Sequence, residues 1–241
     1  MLYFAEKAGG KMASRGKQRK KAIQKAKRLR KLKMGKNLPF DLQNCTKKFS
    51  GLKNKYCYKT NIHNLIFKDG YFGNVKYQAS NITACNFKYS TLNGVDFVGC
   101  NLKGCNFSGA RLKDVVFVNC LMENTHFTNC SFENVYFVTT DISGCIDLPA
   151  NYCLMSTYPK ISFDDDMHKA LVLLSYNEES YRYHVLHVKR TKPNNWFIQI
   201  LINRFGDSAG KALLAFSKKE NLKHLYTLSA YTNFIEKYLK V

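Results

Sequence analysis

The sequence predicts a mainly β fold, a solenoid whose chain turns a corner every five residues, with a basic arm before it and a small α-helical domain after it. A large apolar residue stands at every fifth position from Phe67 to Ile142, sixteen times in succession. This period fits neither the turn of an α-helix nor the alternation of a strand. One extended piece and one corner in every five residues satisfy it.

Two further positions of each pentad support this interpretation. The residue two before the large apolar one is small or β-branched, as at Val95, Cys105 and Ala110, and we expect it to point inward. The residue two after it is mostly Gly, Asn or Asp, which tolerate the left-handed backbone of a turn. Each pentad therefore combines an inward-facing stretch with a corner.

This pattern resembles the pentapeptide-repeat family, whose fold is a right-handed quadrilateral β-helix with four pentads in each coil. The resemblance covers residues 65–146, about a third of the chain. It implies that residues twenty apart stack in columns, and the sequence supports such columns at Phe67, Phe87, Phe107 and Phe127, and at Val75, Val95, Val115 and Val135. Sixteen pentads then make about four coils.

Composition limits the class of protein. With 241 residues, 45% of them hydrophobic, the chain can fill the core of one or two domains. It has no apolar run of about 18 residues that would predict a transmembrane helix. Residues 1–11 lack the apolar stretch of a signal peptide. We therefore expect a soluble cytoplasmic protein.

Nine cysteines suggest a disulfide framework until they are placed on the repeat. Six of them occupy the small inward position, where a free thiol packs as a small hydrophobic group. Their intervals are multiples of five and there is no CxxC pair, so metal-ligand spacing is absent. We predict structural thiols and no metal or cofactor.

Positive charge is concentrated in an N-terminal arm, residues 1–36, which holds fourteen Lys and Arg against one acid, whereas residues 61–148 hold six against seven. We expect the arm to be disordered alone and to become a basic helix on an anionic partner. Nucleic acid is the first choice, because clustered cations release phosphate counterions. A membrane surface is second, and a solvated tail that aids solubility is the plain alternative. The predicted phosphate contacts are Arg15, Lys17, Arg19, Lys20, Lys21, Lys25, Lys27, Arg28, Arg30, Lys31 and Lys33.

Residues 37–64 are predicted to link the arm to the solenoid and to cap its open N-terminal end. Most outward positions of the repeat are polar, but one outward strip is apolar: Val98, Val116, Val118, Tyr136 and Val138. Such a strip usually marks a contact. Either the chain's own C-terminal part covers it or it forms a homodimer interface, and we favour the first explanation.

After residue 146 the pentad pattern ends. Residues 147–163 are predicted as a connector and residues 164–241 as a helical domain. Asp164, Asp165 and Asp166 suit a helix N-terminus. Apolar spacing through Leu186 predicts a helix that ends before Pro193, then a second helix from Trp196 and one or two more beyond Gly206.

Two motifs resemble catalytic or metal-binding patterns. Gly206, Ser208 and Gly210 match GxSxG, but a nucleophile elbow needs a preceding strand and a parallel sheet, so a turn between two helices is the better interpretation. His184 and His187 have no third ligand at metal spacing. We predict that the chain is not an enzyme.

The sequence thus predicts a non-catalytic interaction protein that binds nucleic acid or a nucleoprotein complex through its arm, with the β-helix as a rigid spacer. The resemblance implies an alternative, because family members bind DNA gyrase or topoisomerase, protect it from inhibitors and are thought to imitate DNA with an acidic surface. The near-neutral repeat departs from that pattern, as does the lack of a loop among the pentads. A scaffold that acts through protein partners alone is the third hypothesis.

Overall fold

The computed structural model describes residues 41–219 and 222–240, together with Gly16, Arg19 and Ile23. Phe40–Val241 form one compact unit. Within it, a parallel β-helix is followed by a layer of helices. Met1–Pro39 form a separate unit, of which the three described residues are all exposed to solvent.

The β-helix is built from short parallel strands in two columns. One column has the strand order β2-β4-β6-β7-β8-β9 and the other has the order β1-β3-β5. The strands are β1 (Asp41–Gln43), β2 (Gly51–Tyr58), β3 (Asn61–His63), β4 (Tyr71–Gln78), β5 (Asn81–Thr83), β6 (Thr91–Val98), β7 (Arg111–Val118), β8 (Ser131–Val138) and β9 (Cys153–Met155). Isolated parallel bridges continue the ladder on the remaining parts of each coil.

Residues twenty apart pair along the ladder, as Val75 pairs with Val95 and Val95 with Val115. The large apolar residues fill the interior, where the rings of Phe87 and Phe107 stack with centroids 4.8 Å apart and an interplanar angle of 9°. The mainly β fold of the pentapeptide-repeat type is therefore confirmed.

Cys and Thr side chains at the small inward position bond to the preceding coil at several places. The Cys130 thiol donates to the Phe107 carbonyl at 2.9 Å, and the hydroxyl of Thr125 donates to the Leu102 carbonyl at 3.0 Å. Because thiol and hydroxyl make the same bond, Cys and Thr exchange at this position. All nine cysteines lie in the described part of the chain and all are free.

The coil corners use left-handed backbone at the positions that the sequence predicts. Asp114 and Asn134 have φ angles of 52° and 54°, and Gly94 has 67°. Asn, Asp and Gly adopt such angles at the lowest cost, which explains their recurrence every five residues.

The β-helix is longer than sixteen pentads imply, with about six turns where the sequence predicts about four. Residues that the sequence assigns to a linker and cap form β1, β2 and β3, which pair with the coil that follows. The five-residue pattern continues towards the N-terminus through Ile62, Cys57 and Leu52. Lys47 then occupies a position that is otherwise apolar, so the first coil, residues 41–60, could not be recognised from the pattern.

Within residues 156–219 and 222–240 the structure has five helices and a small antiparallel hairpin. The helices are α1 (Asp165–Tyr176), α2 (Glu178–Tyr181), α3 (Asn195–Phe205), α4 (Ser208–Ser217) and α5 (Leu228–Leu239). The hairpin pairs β10 (His187–Lys189) with β11 (Lys192–Pro193).

The helix predicted to continue through Leu186 ends at Tyr176 instead. Asn177 has extended backbone, and its side chain accepts a bond from the Ser180 N–H to start the short helix α2. An Asn side chain that caps a new helix competes with continuation of the old one. At the other end of α1 the Asp164 carboxylate accepts from the Met167 N–H at 2.6 Å, as the three successive acids predict.

Candidate functional site

Each coil of the β-helix has four sides, which fix what every outward side chain can reach. Taking residues 65–84 and their equivalents in the other coils, side one is 65–69, side two is 70–74, side three is 75–79 and side four is 80–84. Left-handed residues mark the corners between the sides.

Side three is covered by the chain's own helices. Val116 and Val138 are 1% and 0% exposed, and they belong to the same hydrophobic core as helices α1, α3, α4 and α5. Val118 and Tyr136 pack against this core as partly buried residues. This packing accounts for most of the apolar strip without a second copy of the chain, whereas Val98 keeps intermediate exposure.

A buried pair of opposite charges lies beneath the helices on side three. Lys76 and Asp96 are partners on neighbouring strands, and both are almost completely buried. The Lys76 ammonium donates to the Tyr183 carbonyl at 2.7 Å. The Asp96 carboxylate accepts from the Leu228 N–H at 2.9 Å, which places a negative charge at the N-terminus of α5.

Burial shifts the pKa of each group in the direction that favours its neutral form. It lowers the pKa of Lys76 to about 8, although the charge of Asp96 opposes the shift. It raises the pKa of Asp96 to about 7, against the attraction of Lys76 and the bond from Leu228. One Asp96 oxygen has no hydrogen-bond partner among the described residues. The pair therefore joins the helices to the β-helix at a cost in desolvation.

A second polar contact lies at the corner between sides two and three. The Arg204 guanidinium of α3 donates to the Asp114 carboxylate at 2.6 Å and also to the carboxylate of Glu236 in α5. Asn134 donates to the same Asp114 oxygen at 2.9 Å. The Arg204 side chain is 19% exposed, so this is a partly buried network that holds two helices on one corner.

The N-terminus of α5 approaches the backbone at this same corner, one coil earlier. A Cβ added to Gly94 would lie 2.7 Å from the Ser229 side chain, and Gly94 also has a positive φ. Asn74 accepts from the Thr227 hydroxyl at 2.9 Å and donates to the His224 carbonyl at 2.8 Å. No sequence pattern indicates that these repeat residues contact the start of helix α5, because their partners are more than a hundred residues away in the chain.

Helices α1 to α5 leave the other three sides uncovered, and these sides differ in charge. Side four carries one basic residue, Lys103, and three acidic ones, Asp41, Glu123 and Asp141. Its outward asparagines form a ladder in which Asn101 donates to Asn81 at 2.9 Å and Asn81 donates to Asn61 at 2.8 Å. Side four is therefore polar and weakly acidic.

Sides one and two are basic. From residue 45 to residue 154 these two sides carry seven cations against four anions, a balance of +3. Two of the anions, Asp69 and Glu133, are paired with Lys48 and Lys113 at 2.8 and 2.5 Å. The seven cations are Lys47, Lys48, Lys53, Lys68, Lys88, Arg111 and Lys113. The excess comes from Lys47, Lys48 and Lys53, which precede residues 61–148 in the chain, so the near-zero charge of that range does not reveal it.

The predicted phosphate contacts fall almost entirely outside the described residues. Arg19 is described and its side chain is exposed. Outside the described residues lie Arg15, Lys17, Lys20, Lys21, Lys25, Lys27, Arg28, Arg30, Lys31 and Lys33. The nearest described cations along the chain are Lys47, Lys48, Lys53, Lys55 and Lys59, and all five are exposed in the first coil.

The motifs that resemble catalytic and metal sites have structural roles. Gly206 and Asp207 form the turn between α3 and α4, and Ser208 begins α4. The His187 ring lies 2.9 Å from the Leu171 carbonyl, in a buried position. Among the described residues there is no group of three or more His, Cys, Asp and Glu side chains that could hold a metal ion.

No helix within residues 41–219 and 222–240 has the length and apolar character needed to span a bilayer.

The fold defines the chain as a β-solenoid repeat protein whose third side carries a helical layer. Residues 71–145 match the family model for the pentapeptide repeat region. These residues therefore form a pentapeptide repeat region. Comparison with curated proteins gives no match.

Among solved structures, similar chains include a trypsin-treated variant of QnrB1, described as a plasmid-mediated fluoroquinolone resistance protein. It is 23% identical, with 41% of this chain and 56% of that chain covered and a TM-score of 0.27. This chain therefore spans just over half of its length. A pentapeptide repeat protein, Rfr23 from the cyanobacterium Cyanothece 51142, is 14% identical over 50% of this chain and 97% of that one, with a TM-score of 0.21.

Proposed function

We propose that this protein is a non-catalytic cytoplasmic scaffold that binds nucleic acid or a nucleoprotein complex through its N-terminal arm. The observation that carries the proposal is the run of twelve Lys and Arg without one acid in residues 12–36. A strand of nucleic acid is the partner with the matching density of negative charge, and neutralising its phosphates releases counterions.

The first coil supports the same partner, since it follows the arm in the chain and adds five exposed lysines. The β-helix then acts as a rigid spacer, because the packed interior side chains and the backbone hydrogen bonds between coils fix each coil relative to the next. The nine free cysteines, of which eight are buried or partly buried, support a reducing compartment, in which thiols persist.

A mobility-shift assay tests the arm directly. The full chain should retard a DNA or RNA oligonucleotide at low salt, and the chain of residues 37–241 should do so much more weakly. Equal retardation by the two chains would refute the role of the arm. In an affinity purification from the native cell, nuclease treatment should release the partners.

Gyrase or topoisomerase binding is the second candidate function, and it comes from the family resemblance. The acidic outer surface associated with that activity has little counterpart on the described coils, where Asp96 and Asp114 are buried and Asp69, Glu123 and Glu133 are paired with lysines. A supercoiling assay with purified gyrase, with and without a quinolone, separates the two functions. Protection of gyrase by the chain of residues 37–241 would favour this candidate and count against the arm. A scaffold with protein partners alone predicts neither retardation nor protection.

A further inference from the structure

Two exposed tyrosines stand on the basic sides of the β-helix, and both lie over glycine. Ring atoms of Tyr71 come within 2.7 Å of the position that a Cβ on Gly73 would occupy. Ring atoms of Tyr89 come within 2.5 Å of the corresponding position on Gly109. In both places the missing side chain leaves room for an aromatic ring on the outside of the coil.

The two rings are close to each other and accessible. Tyr71 is 45% exposed and Tyr89 is 60% exposed, although large aromatic side chains are usually buried. Tyr71 pairs with Thr91, two residues beyond Tyr89, so their Cα atoms are roughly 8 Å apart on neighbouring coils at ordinary strand spacing. This separation suits neighbouring bases of an unpaired strand.

A cation lies beside the Tyr89 ring, and others occupy the neighbouring columns of both tyrosines. The Lys68 ammonium lies 5.5 Å from the centroid of the Tyr89 ring, within the range of a cation–π interaction. Lys53 pairs with Gly73 from the preceding coil. Arg111 lies two coils after Tyr71 in the same column, since Tyr71 pairs with Thr91 and Thr91 pairs with Arg111. Lys88 precedes Tyr89 in the chain. Exposed aromatic rings within a positive field are what single-stranded nucleic acid requires, because its phosphates need cations and its unstacked bases need flat apolar partners.

We propose that the corner between sides one and two is a binding surface for single-stranded nucleic acid, with Tyr71 and Tyr89 stacking on bases and Lys53, Lys68, Lys88 and Arg111 neutralising phosphates. This inference rests on the proposed function and extends it from the arm to the β-helix. Double-stranded nucleic acid hides its base faces, so the tyrosines discriminate in favour of unpaired strands.

Fluorescence anisotropy with the full chain tests the tyrosines. Labelled oligothymidylate, oligouridylate and a DNA duplex are the three probes. Tyr71→Ala and Tyr89→Ala should each weaken single-strand binding by roughly tenfold and leave duplex binding unchanged, as expected for one lost base stack. Tyr89→Phe should retain the native affinity because its ring remains. Tyr176→Ala is the matched control, since Tyr176 is 74% exposed and belongs to helix α1 and not to sides one and two.

A second series tests the cations. Lys68→Gln and Lys88→Gln should each reduce the dependence of single-strand affinity on salt by somewhat less than one unit of slope, the amount expected for one phosphate contact. Lys103→Gln on side four is the matched control and should leave the slope unchanged. Tyrosine-dependent affinity for either single-stranded probe supports the inference and identifies the polymer.

The outcomes separate this inference from the function on which it rests. If the native chain binds the probes but the Tyr71→Ala and Tyr89→Ala variants bind as tightly, the corner is not the site and the arm alone accounts for binding. If the tyrosine variants lose the same affinity for the single-stranded probes as for the duplex, the stacking role is also overturned. If the native chain binds none of the probes, the proposed function and this inference both fail.

Discussion

The buried pair Lys76 and Asp96 gives the most demanding prediction about how the helices are attached. Asp96→Asn keeps an acceptor for the Leu228 N–H but leaves Lys76 buried without an opposite charge. Removing one member of a buried pair typically costs about 3 kcal/mol or more of unfolding free energy. Lys76→Met removes the other charge and leaves the Tyr183 carbonyl without its donor, so we expect a similar loss of about 3 kcal/mol.

The double variant, with both substitutions, should lose much less than the sum of the two. It contains no buried charge, and replacing a buried pair by apolar or neutral groups is often close to neutral. We expect a loss of about 2 kcal/mol against about 6 kcal/mol for an additive pair, which is a coupling of several kcal/mol.

Urea denaturation at pH 7.5 measures these free energies, and two signals report on different parts of the molecule. The single tryptophan, Trp196, lies in α3 and reports on the helical layer, whereas far-ultraviolet circular dichroism also follows the β-helix. The two transitions of the native chain should coincide, because Phe40–Val241 form one compact unit. A loss in the double variant that equals the sum of the two single losses would refute the reasoning. It would mean that the two charges are not buried together under the helices.

Three further predictions concern the same two layers. Phe107→Ala should lower the unfolding free energy by about 4 kcal/mol, because its ring is buried between two stacked phenylalanines; a loss below about 1 kcal/mol would contradict an interior position. Gly94→Ala should cost about 1–3 kcal/mol through its positive φ and the contact with Ser229, and the Ser229→Gly background should recover part of that loss in the same denaturation assay. Because Asp96 has a raised pKa, the folded chain takes up its proton first as the pH falls from 7 towards 4, so the native chain should gain stability relative to the Lys76→Met, Asp96→Asn double variant over that range. The pKa of Lys76 is lowered, so the folded chain loses that proton first as the pH rises from 8 to about 10.5, and the native chain should again gain stability relative to the double variant. If the difference in unfolding free energy between the two proteins does not change with pH in either range, the two charges are not buried.

The β-helix could be predicted from sequence because its information is local. Each pentad carries its own inward residues and its own corner, and a register of twenty is visible in columns such as Val75, Val95 and Val115. The first coil escaped prediction because Lys47 occupies a position that the pattern reserves for an apolar residue. One interruption at an end is enough to hide a coil whose other pentads are regular.

The side that receives the helices was predictable only where it is apolar. Val116 and Val138 are apolar residues at outward positions, which predicts a contact, and the structure places them in one core with the helices. Lys76 and Asp96 occupy equivalent outward positions, but in sequence they resemble ordinary surface residues. Their burial depends on Tyr183 and Leu228, which come from a different part of the chain.

The basic corner was hidden for another reason. Charges of both signs are mixed along residues 61–148, and their sum is −1. The coil places Lys47, Lys48 and Lys53, which precede that range, on the same two sides as Lys68, Lys88, Arg111 and Lys113, while side four is weakly acidic. Only the register of the ladder reveals that Tyr71 and Tyr89 stand among those cations.

The salt dependence of oligonucleotide binding tests the central claim most directly. For the full chain, the logarithm of the association constant should fall linearly and steeply with the logarithm of the salt concentration, because many phosphate contacts are replaced by counterions. Replacing the Lys and Arg of residues 12–36 by Gln should flatten this line and leave only the weaker contribution of the β-helix. An unchanged slope in that variant, or no binding by the native chain at low salt, would contradict a nucleic-acid-binding arm.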